Sequence, residues 1–180
     1  DLDLMKRLIC GGSEHRKFMR QIMVSVDISA PLYIWKEFDT YKIGTTANST
    51  STMHRIMSKP ITLSCFEFDD FNNYLELSTT NIAHGGESSF TINDVWDDIL
   101  TACNKLRDKY LKTKDMRYWK ELIRILPESW IQRRTVTMNY ENLYSIVRQR
   151  KGHKLTEWAK LIEWARTLPY ADDLIFLEYA

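Results

Sequence analysis

Cysteine is scarce in this 180-residue sequence: Cys10, Cys65 and Cys103 stand far apart and are odd in number. That spacing argues against a disulfide framework or a zinc knuckle, and the three read as reduced thiols of a cytoplasmic protein. Net charge is nearly absent at +1, so no broad electrostatic case exists for nucleic acid or a membrane surface. No apolar run approaches the roughly 20 residues of a membrane span. No signal peptide is visible, and a chain opening on Asp1 is expected to lack its true N-terminus. There is no internal repeat or low-complexity linker, so one domain over 1–180 is expected, of a length that supports a real core. The glycine-rich dinucleotide fingerprint, the phosphate loop, the zinc-protease helix and the serine nucleophile elbow are all missing. His15, His54, His84 and His153 show no metal-ligand spacing.

What is present is periodicity. Leu2, Met5, Leu8 and Ile9 recur at helical spacing, and Gly11-Gly12 ends that run. Ile22, Val24, Val26 and Ile28 alternate with Gln21, Met23, Ser25 and Asp27, which predicts a strand over 21–28 with one buried face. Ser29-Ala30-Pro31 reads as a helix start, with Ser29 the cap and Pro31 in the first turn. That helix is expected to reach about Lys42, with Leu32, Trp35 and Phe38 inward. Residues 61–77 read as weakly helical and 78–90 as loop. A stripe of Val95, Ile99, Ala102, Cys103, Leu106 and Tyr110 predicts a helix over 94–111. Further helices are expected over 115–126, stopping at Pro127, over about 138–150, and over about 155–168. The class is α+β, helix-rich, with few strands, and the 94–111 and 138–150 helices are expected to pack on the sheet.

Two polar features invite a ligand. The run Gly44 to Ser51 carries hydroxyls and amides that seldom build core and suit a helix cap or a polar ligand. Asn139 and Arg150 lie 11 positions apart, which on one helix returns them to within about 20° of the same side, about 16 Å apart along the axis. Ile146 lies between them, and such a stripe suits a long ligand or two adjacent ones. Helix-end polar residues are the plainer reading of that pair. Arg133-Arg134 and the Arg148 to Lys154 cluster are basic enough to touch phosphates, but clusters of this size are commonly solvated helix faces.

Motif order adds a resemblance. The stretch Met23 to Phe38, with Ala30-Pro31 ahead of Lys36-Glu37, is similar to the strand and "APxxxxRQ" helix of flavin-dependent thymidylate synthases. Leu8 to Phe18, with Gly11, Glu14 and Phe18, resembles that family's "HGHETPFEH" turn. Leu126-Pro127 resembles its "LP", and Asn139 to Arg150 resembles its "NxRSLxNFLxLR". His153 and Glu157-Trp158 follow as in "HAQWE", with one residue inserted. The pieces are colinear over most of the chain. Departures are concentrated in the signature "RHRxxSxNExSxRY". Thr40, Tyr41 and Lys42 replace Arg-His-Arg, Ser49 stands where the glutamate belongs, and Asn48, Ser51 and Arg55 match only with shifts. Glu141 and Ser145 replace an arginine and an asparagine of the later motif.

The resemblance implies methylation of the uracil C5 of dUMP, with methylenetetrahydrofolate and NADPH as co-substrates and FAD as cofactor. It implies Arg150 as the catalytic cation near the pyrimidine carbonyl. Thr50, Ser51, Thr52 and Arg55, with Arg150, would bind the pyrimidine nucleotide. Lys42, Thr45, Asn48 and Asn139 would hold the flavin. It implies a homotetramer with sites shared between subunits, and the six tryptophans supply large anchors for such contacts. No metal and no membrane are implied. Two function classes stay open: an active divergent synthase, or a catalytically lapsed relative that binds or sequesters a nucleotide or acts as an interaction protein. A nucleic-acid binder using Arg133, Arg134, Arg148 and Lys151 is a third reading, weighed against by the near-neutral charge.

Overall fold

The computed structural model describes residues 1–68, 75–81 and 86–177, with only the backbone described at Glu76, 78–81 and 86–90. In chain order the elements are α1 (Leu2–Cys10), β1 (Met23–Pro31), α2 (Leu32–Phe38), β2 (Thr46–Ser49), α3 (Thr52–Ser58), β3 (Glu76–Asn81), β4 (Gly86–Thr91), α4 (Ile92–Thr113), α5 (Met116–Ile125), β5 (Ile131–Asn139), α6 (Tyr140–Arg150), α7 (Thr156–Arg166) and α8 (Ala171–Leu174). The fold is α+β and helix-rich with a small sheet, as the periodicity predicts. The chain divides into two compact units, Asp1–Ser49 with Arg133–Ala180, and Thr50–Gln132. None of the helices among the described residues is long and apolar enough to cross a membrane.

In the first unit a three-stranded sheet has the order β1-β5-β2. On β1 the alternating residues Val24, Val26 and Ile28 are the half-buried ones, as the period of two requires. The central strand β5 turns Val136 and Met138, both 0% exposed, into the core. Its opposite face is polar. Thr137 shares a 2.7 Å hydrogen bond with Ser25, and Thr135 donates to Asp27 at 2.5 Å. Arg133 also pairs with Asp27. The Thr135 hydroxyl, then the Arg133 guanidinium, hold the Asp27 carboxyl below its ordinary range. Strand β2 runs antiparallel to β5, with Thr46 opposite Thr137 and Ser49 opposite Arg134. Below the sheet α2, α6 and α7 supply Ile34, Trp35, Phe38, Leu143, Ile146, Val147 and Trp158 to one cluster.

The second unit is a helix pair, α4 and α5, with a short hairpin. A capping box between Thr91 and Asp94 starts α4, and Lys114 in the left-handed region ends it. The stripe expected on α4 is its inward side, with Cys103 fully buried and burial raising its thiol pKa. The Asn104 side chain accepts from Ile61 N–H at 2.9 Å and donates to Ile61 C=O at 2.7 Å, tying an irregular segment to the helix. Phe66 packs on Trp96 and Trp130 at 5.1 and 5.5 Å between ring centroids.

Several boundaries differ from expectation. β1 continues through Pro31, which precedes the first residue of α2, so Ser29 lies in the strand and is no cap. The helix ends at Phe38 and tightens into a 3-10 turn over Asp39–Tyr41 rather than running to Lys42. Within 61–77 the helical part is a single 3-10 turn, Leu63–Cys65, and residues 69–74 fall outside the described ones. Within the expected loop 78–90 the described residues form strands: β3 and β4 pair antiparallel from Glu76 opposite Thr91 to Asn81 opposite Gly86. A two-stranded ribbon is held by its backbone ladder and needs no apolar alternation to exist, so the apolar pattern is silent there. Gly85 lies outside the described residues.

One ion cluster makes the stability of the first unit depend on pH. Glu141, in the first turn of α6, accepts from Arg20 and, at 3.2 Å, from Arg16. Arg16 also stacks on Tyr144, 4.4 Å from the ring centre. The Arg20 hydrogen bond, followed by that from Arg16, lowers the Glu141 carboxyl pKa below its ordinary 4.5. A lowered folded-state pKa contributes stability above the unfolded value, and that contribution disappears as pH falls through the folded value. Glu141→Gln is therefore expected to cost about 1 kcal/mol at neutral pH. The difference from wild type should shrink in urea titrations as pH falls from the ordinary 4.5 through the lowered folded-state value.

Candidate functional site

Arg150 is the last residue of α6, and three segments converge on it. Its Nη1 meets Glu37 Oε2, on α2, at 2.9 Å. Its Nε donates to the Tyr41 hydroxyl, on the following 3-10 turn, at 3.0 Å. Its guanidinium carbon lies 4.5 Å from the ring centre of Trp158, on α7. Trp158 is 1% exposed and stacks on Phe38 with a 6.2 Å centroid separation and a 5° interplanar angle. Its indole N–H also donates to Glu37 Oε2, at 2.9 Å. His153 Nε2 approaches Arg150 Nη1 at 3.2 Å and Glu37 Oε2 at 3.7 Å. The Tyr41 hydroxyl donates in turn to Gln149 Oε1 at 3.0 Å, and Tyr33 donates to Glu157.

The arrangement follows from local sequence. Glu37 and Tyr41 are one helical turn apart and face the same way. Gly152 takes φ +72°, which turns the chain after α6 so that α7 folds back with Trp158 inward. The Arg150 side chain is left 17% exposed. Among the described residues its Nη2 has no hydrogen-bond partner. Beside it a surface pocket of about 280 Å³ is lined by Arg150, Lys151, His153, Ile162, Glu163 and Arg166, among others. The Arg150 guanidinium therefore lies against the Trp158 ring and also borders this open pocket, lined largely by charged residues.

Of the predicted flavin residues, Asn139 stands at the other end of α6 and the Ile43-Gly44 turn between Lys42 and Thr45 docks against it, while Asn48 lies farther along the sheet, opposite Thr135. Asn139 is 7% exposed. It is not on the helix but is its N-cap, with φ −115° and ψ 171°. The helical wheel that put Asn139 and Arg150 on one stripe is therefore corrected: Asn139 closes β5, and Ile146 between them is core at 1% exposure. Asn139 Oδ1 accepts Asn142 N–H at 3.0 Å, and Asn142 Oδ1 accepts Asn139 N–H at 3.1 Å. Against this cap sits Gly44, with φ +75°, and a Cβ there would fall 2.8 Å from Asn139 Nδ2. Only glycine meets both demands. Thr45 donates to Tyr41 C=O at 2.8 Å, while Lys42 and Asn48 are exposed, Asn48 on β2.

Thr50, Ser51, Thr52 and Arg55 belong to the second unit. Thr50 C=O and the Thr52 hydroxyl accept from Gln132 at 3.2 and 3.1 Å. Ser51 is the N-cap position of α3, and its hydroxyl meets His54 Nδ1 at 2.9 Å. Arg55 is exposed.

The basic clusters are only in part solvated: Arg133, Lys151 and Lys154 are exposed, while Arg134 and Arg148 are engaged by the fold. Arg133 and Arg134 lie on β5, Arg134 paired with Asp39 at 3.0 Å and stacked on Trp35 at 4.4 Å. Arg148 donates to Ile175 C=O at 3.0 Å and to Leu177 C=O, and covers the Tyr144 ring. Sequence reading missed Glu37, Tyr41 and Trp158 as partners of Arg150. The one available signal was the four-residue spacing of Glu37 and Tyr41, which says nothing of a partner 109 positions away from Tyr41.

No family model matches this chain, and no curated protein matches its sequence. Among solved structures, flavin-dependent thymidylate synthase ThyX from Helicobacter pylori, complexed with FAD and dUMP, is similar. It has 15% sequence identity and a TM-score of 0.62, over 97% of this chain and 81% of that one. A further structure of Thymidylate Synthase X from Helicobacter pylori, with FAD and dUMP, has 15% identity and a TM-score of 0.58, over 98% and 92%. At that identity the likeness is one of fold, and the fold of this chain is an α+β fold of the ThyX kind.

Proposed function

We propose that this protein binds dUMP and methylates its uracil C5, with methylenetetrahydrofolate as carbon donor, FAD as cofactor and NADPH as reductant. The observation that carries the reading is Arg150, held at the end of α6 with a spare nitrogen beside a pocket, in a chain whose fold is ThyX-like over nearly its whole length. As C5 becomes nucleophilic, negative charge builds on a pyrimidine carbonyl. A fixed donor at Arg150 Nη2 would stabilise that charge, by up to several kcal/mol once bound ligand excludes water. No protein nucleophile is required for this step.

The donors present also fit FAD. Its pyrophosphate needs a cation and N–H groups. Lys42 is an exposed ammonium next to the outer strand β2, which carries the Asn48 carboxamide. Lys42, Thr45, Asn48 and Asn139 would hold it. When bound and reduced, it supplies the hydride that completes the methyl group. Thr50, Ser51, Thr52 and Arg55 would serve the nucleotide phosphate with hydroxyls and a guanidinium, a separate part of the proposal. The working form would be a homotetramer.

A second reading has its own support. Glu37 balances the charge of Arg150, and Asn139 spends its carbonyl oxygen on a helix cap. Both suit a relative that binds a nucleotide without transferring carbon. Two measurements separate the readings. Flavin absorption bands in freshly purified or FAD-reconstituted protein favour the enzyme, and their absence from both favours the binder. In calorimetry with dUMP, Arg150→Ala removes one charge-assisted bond of roughly 1.5–3 kcal/mol. That is roughly a ten- to hundredfold loss of affinity. Arg124→Ala, at an arginine paired with exposed Glu121 on α5, should leave binding unchanged. Equal dUMP affinity in Arg150→Ala and wild type would remove Arg150 from the site.

A further inference from the structure

The Arg150 guanidinium is already largely committed. Nη1 faces the Glu37 carboxylate at 2.9 Å, Nε donates to Tyr41 at 3.0 Å, and Trp158 covers one face. Recognition of a phosphate by arginine relies on two parallel N–H groups on neighbouring nitrogens. Neither such pair is free here, because each of them includes Nε or Nη1. Only Nη2 remains, which suits a single acceptor. Charge points the same way. A guanidinium and a carboxylate 2.9 Å apart largely cancel each other's field at ligand distance, so an arriving dianion gains little. A carbonyl oxygen carries no net charge and needs only the local N–H.

We propose that Glu37 is a built-in counter-ion that makes the Arg150 end of the site selective for an uncharged carbonyl edge over a phosphate. The inference deepens the pyrimidine reading and rests on it for the identity of the carbonyl ligand. Glu37 is held for this task by a second donor, the Trp158 indole N–H at 2.9 Å, so its carboxylate does not depend on Arg150 for its position. The carboxylate is therefore a fixed part of the wall.

The test uses the full chain and two probes, deoxyuridine and inorganic phosphate, in calorimetry at pH 7. Wild type is expected to bind deoxyuridine in an Arg150-dependent way and to show no Arg150-dependent phosphate binding. Glu37→Gln keeps the shape and an acceptor for Trp158 but removes the charge. It should raise phosphate affinity about tenfold or more. Deoxyuridine affinity should change less than about threefold, since no net charge is involved. The double variant Glu37→Gln with Arg150→Ala should lose the gain. Phosphate affinity in Glu37→Gln equal to wild type, or a gain that survives loss of Arg150, overturns the proposal. So does Arg150-dependent phosphate binding in wild type. If wild type binds neither deoxyuridine nor dUMP, the pyrimidine reading fails, while the phosphate comparison still decides the role of Glu37. Should Glu37→Gln not fold, Glu37→Ala, which also removes the charge, is read by the same comparison.

Discussion

Trp158→Ala is expected to remove roughly 3–5 kcal/mol of stability, the range for deleting a buried tryptophan from a core. The size follows from what the ring does. It is 1% exposed, lies flat against Phe38, meets Tyr41 and His153 edge-on, and carries the Arg150 guanidinium on its face. Its N–H is the second donor to Glu37, so truncation also removes a hydrogen bond from a partly buried carboxylate. Urea unfolding followed by far-UV circular dichroism reads the shift in midpoint. Trp158→Phe should recover part of the loss, because the apolar area returns and the N–H does not. A loss below about 1 kcal/mol for Trp158→Ala would mean that the ring is not the keystone of this cluster.

Leu143→Ala is the second large effect, at roughly 2–5 kcal/mol. Leu143 is 1% exposed on the inner face of α6, within the same cluster as Val136 and Met138 of the central strand. The cavity it leaves is walled by side chains of a sheet and two further helices, which cannot all collapse into it. On the outward side of α5, Met116→Ala should cost less than about 0.5 kcal/mol, since Met116 is 55% exposed. Comparable losses at the two positions would contradict the assignment of the core.

The elements legible in the sequence were those with one buried face and enough length to repeat the pattern. β1 carried three inward positions in alternation, and α4 carried five turns of stripe. β5 was not legible. Its inner face offers only Val136 and Met138 at full burial, while Arg133, Arg134 and Thr135 read as polar. Arg134 in fact packs its guanidinium on Trp35, a burial mode that a hydropathy pattern scores as exposure. β2 was invisible for the opposite reason: all four residues are exposed, and pairing with β5 alone defines the strand. In the candidate site, motif order points to Arg150 but not to Glu37, because a counter-ion is defined by a tertiary contact and leaves no local trace.

The strand order β1-β5-β2 has a consequence for biosynthesis. The middle strand of the sheet is the last of the three to leave the ribosome, and residues 50–130 emerge before it. Until then β1 and β2 have no ladder partner within their own sheet, and the Gly44 turn has no Asn139 to dock against. The first unit is thus barred from completing its sheet during synthesis of its N-terminal half, whereas Thr50–Gln132 has all of its residues in one run. Contacts of such long sequence separation close slowly, since the loop entropy is lost before they form. The nascent chain carries two exposed strands in the meantime, and its yield in a cell should respond to translation speed and chaperone supply more than its final stability would indicate.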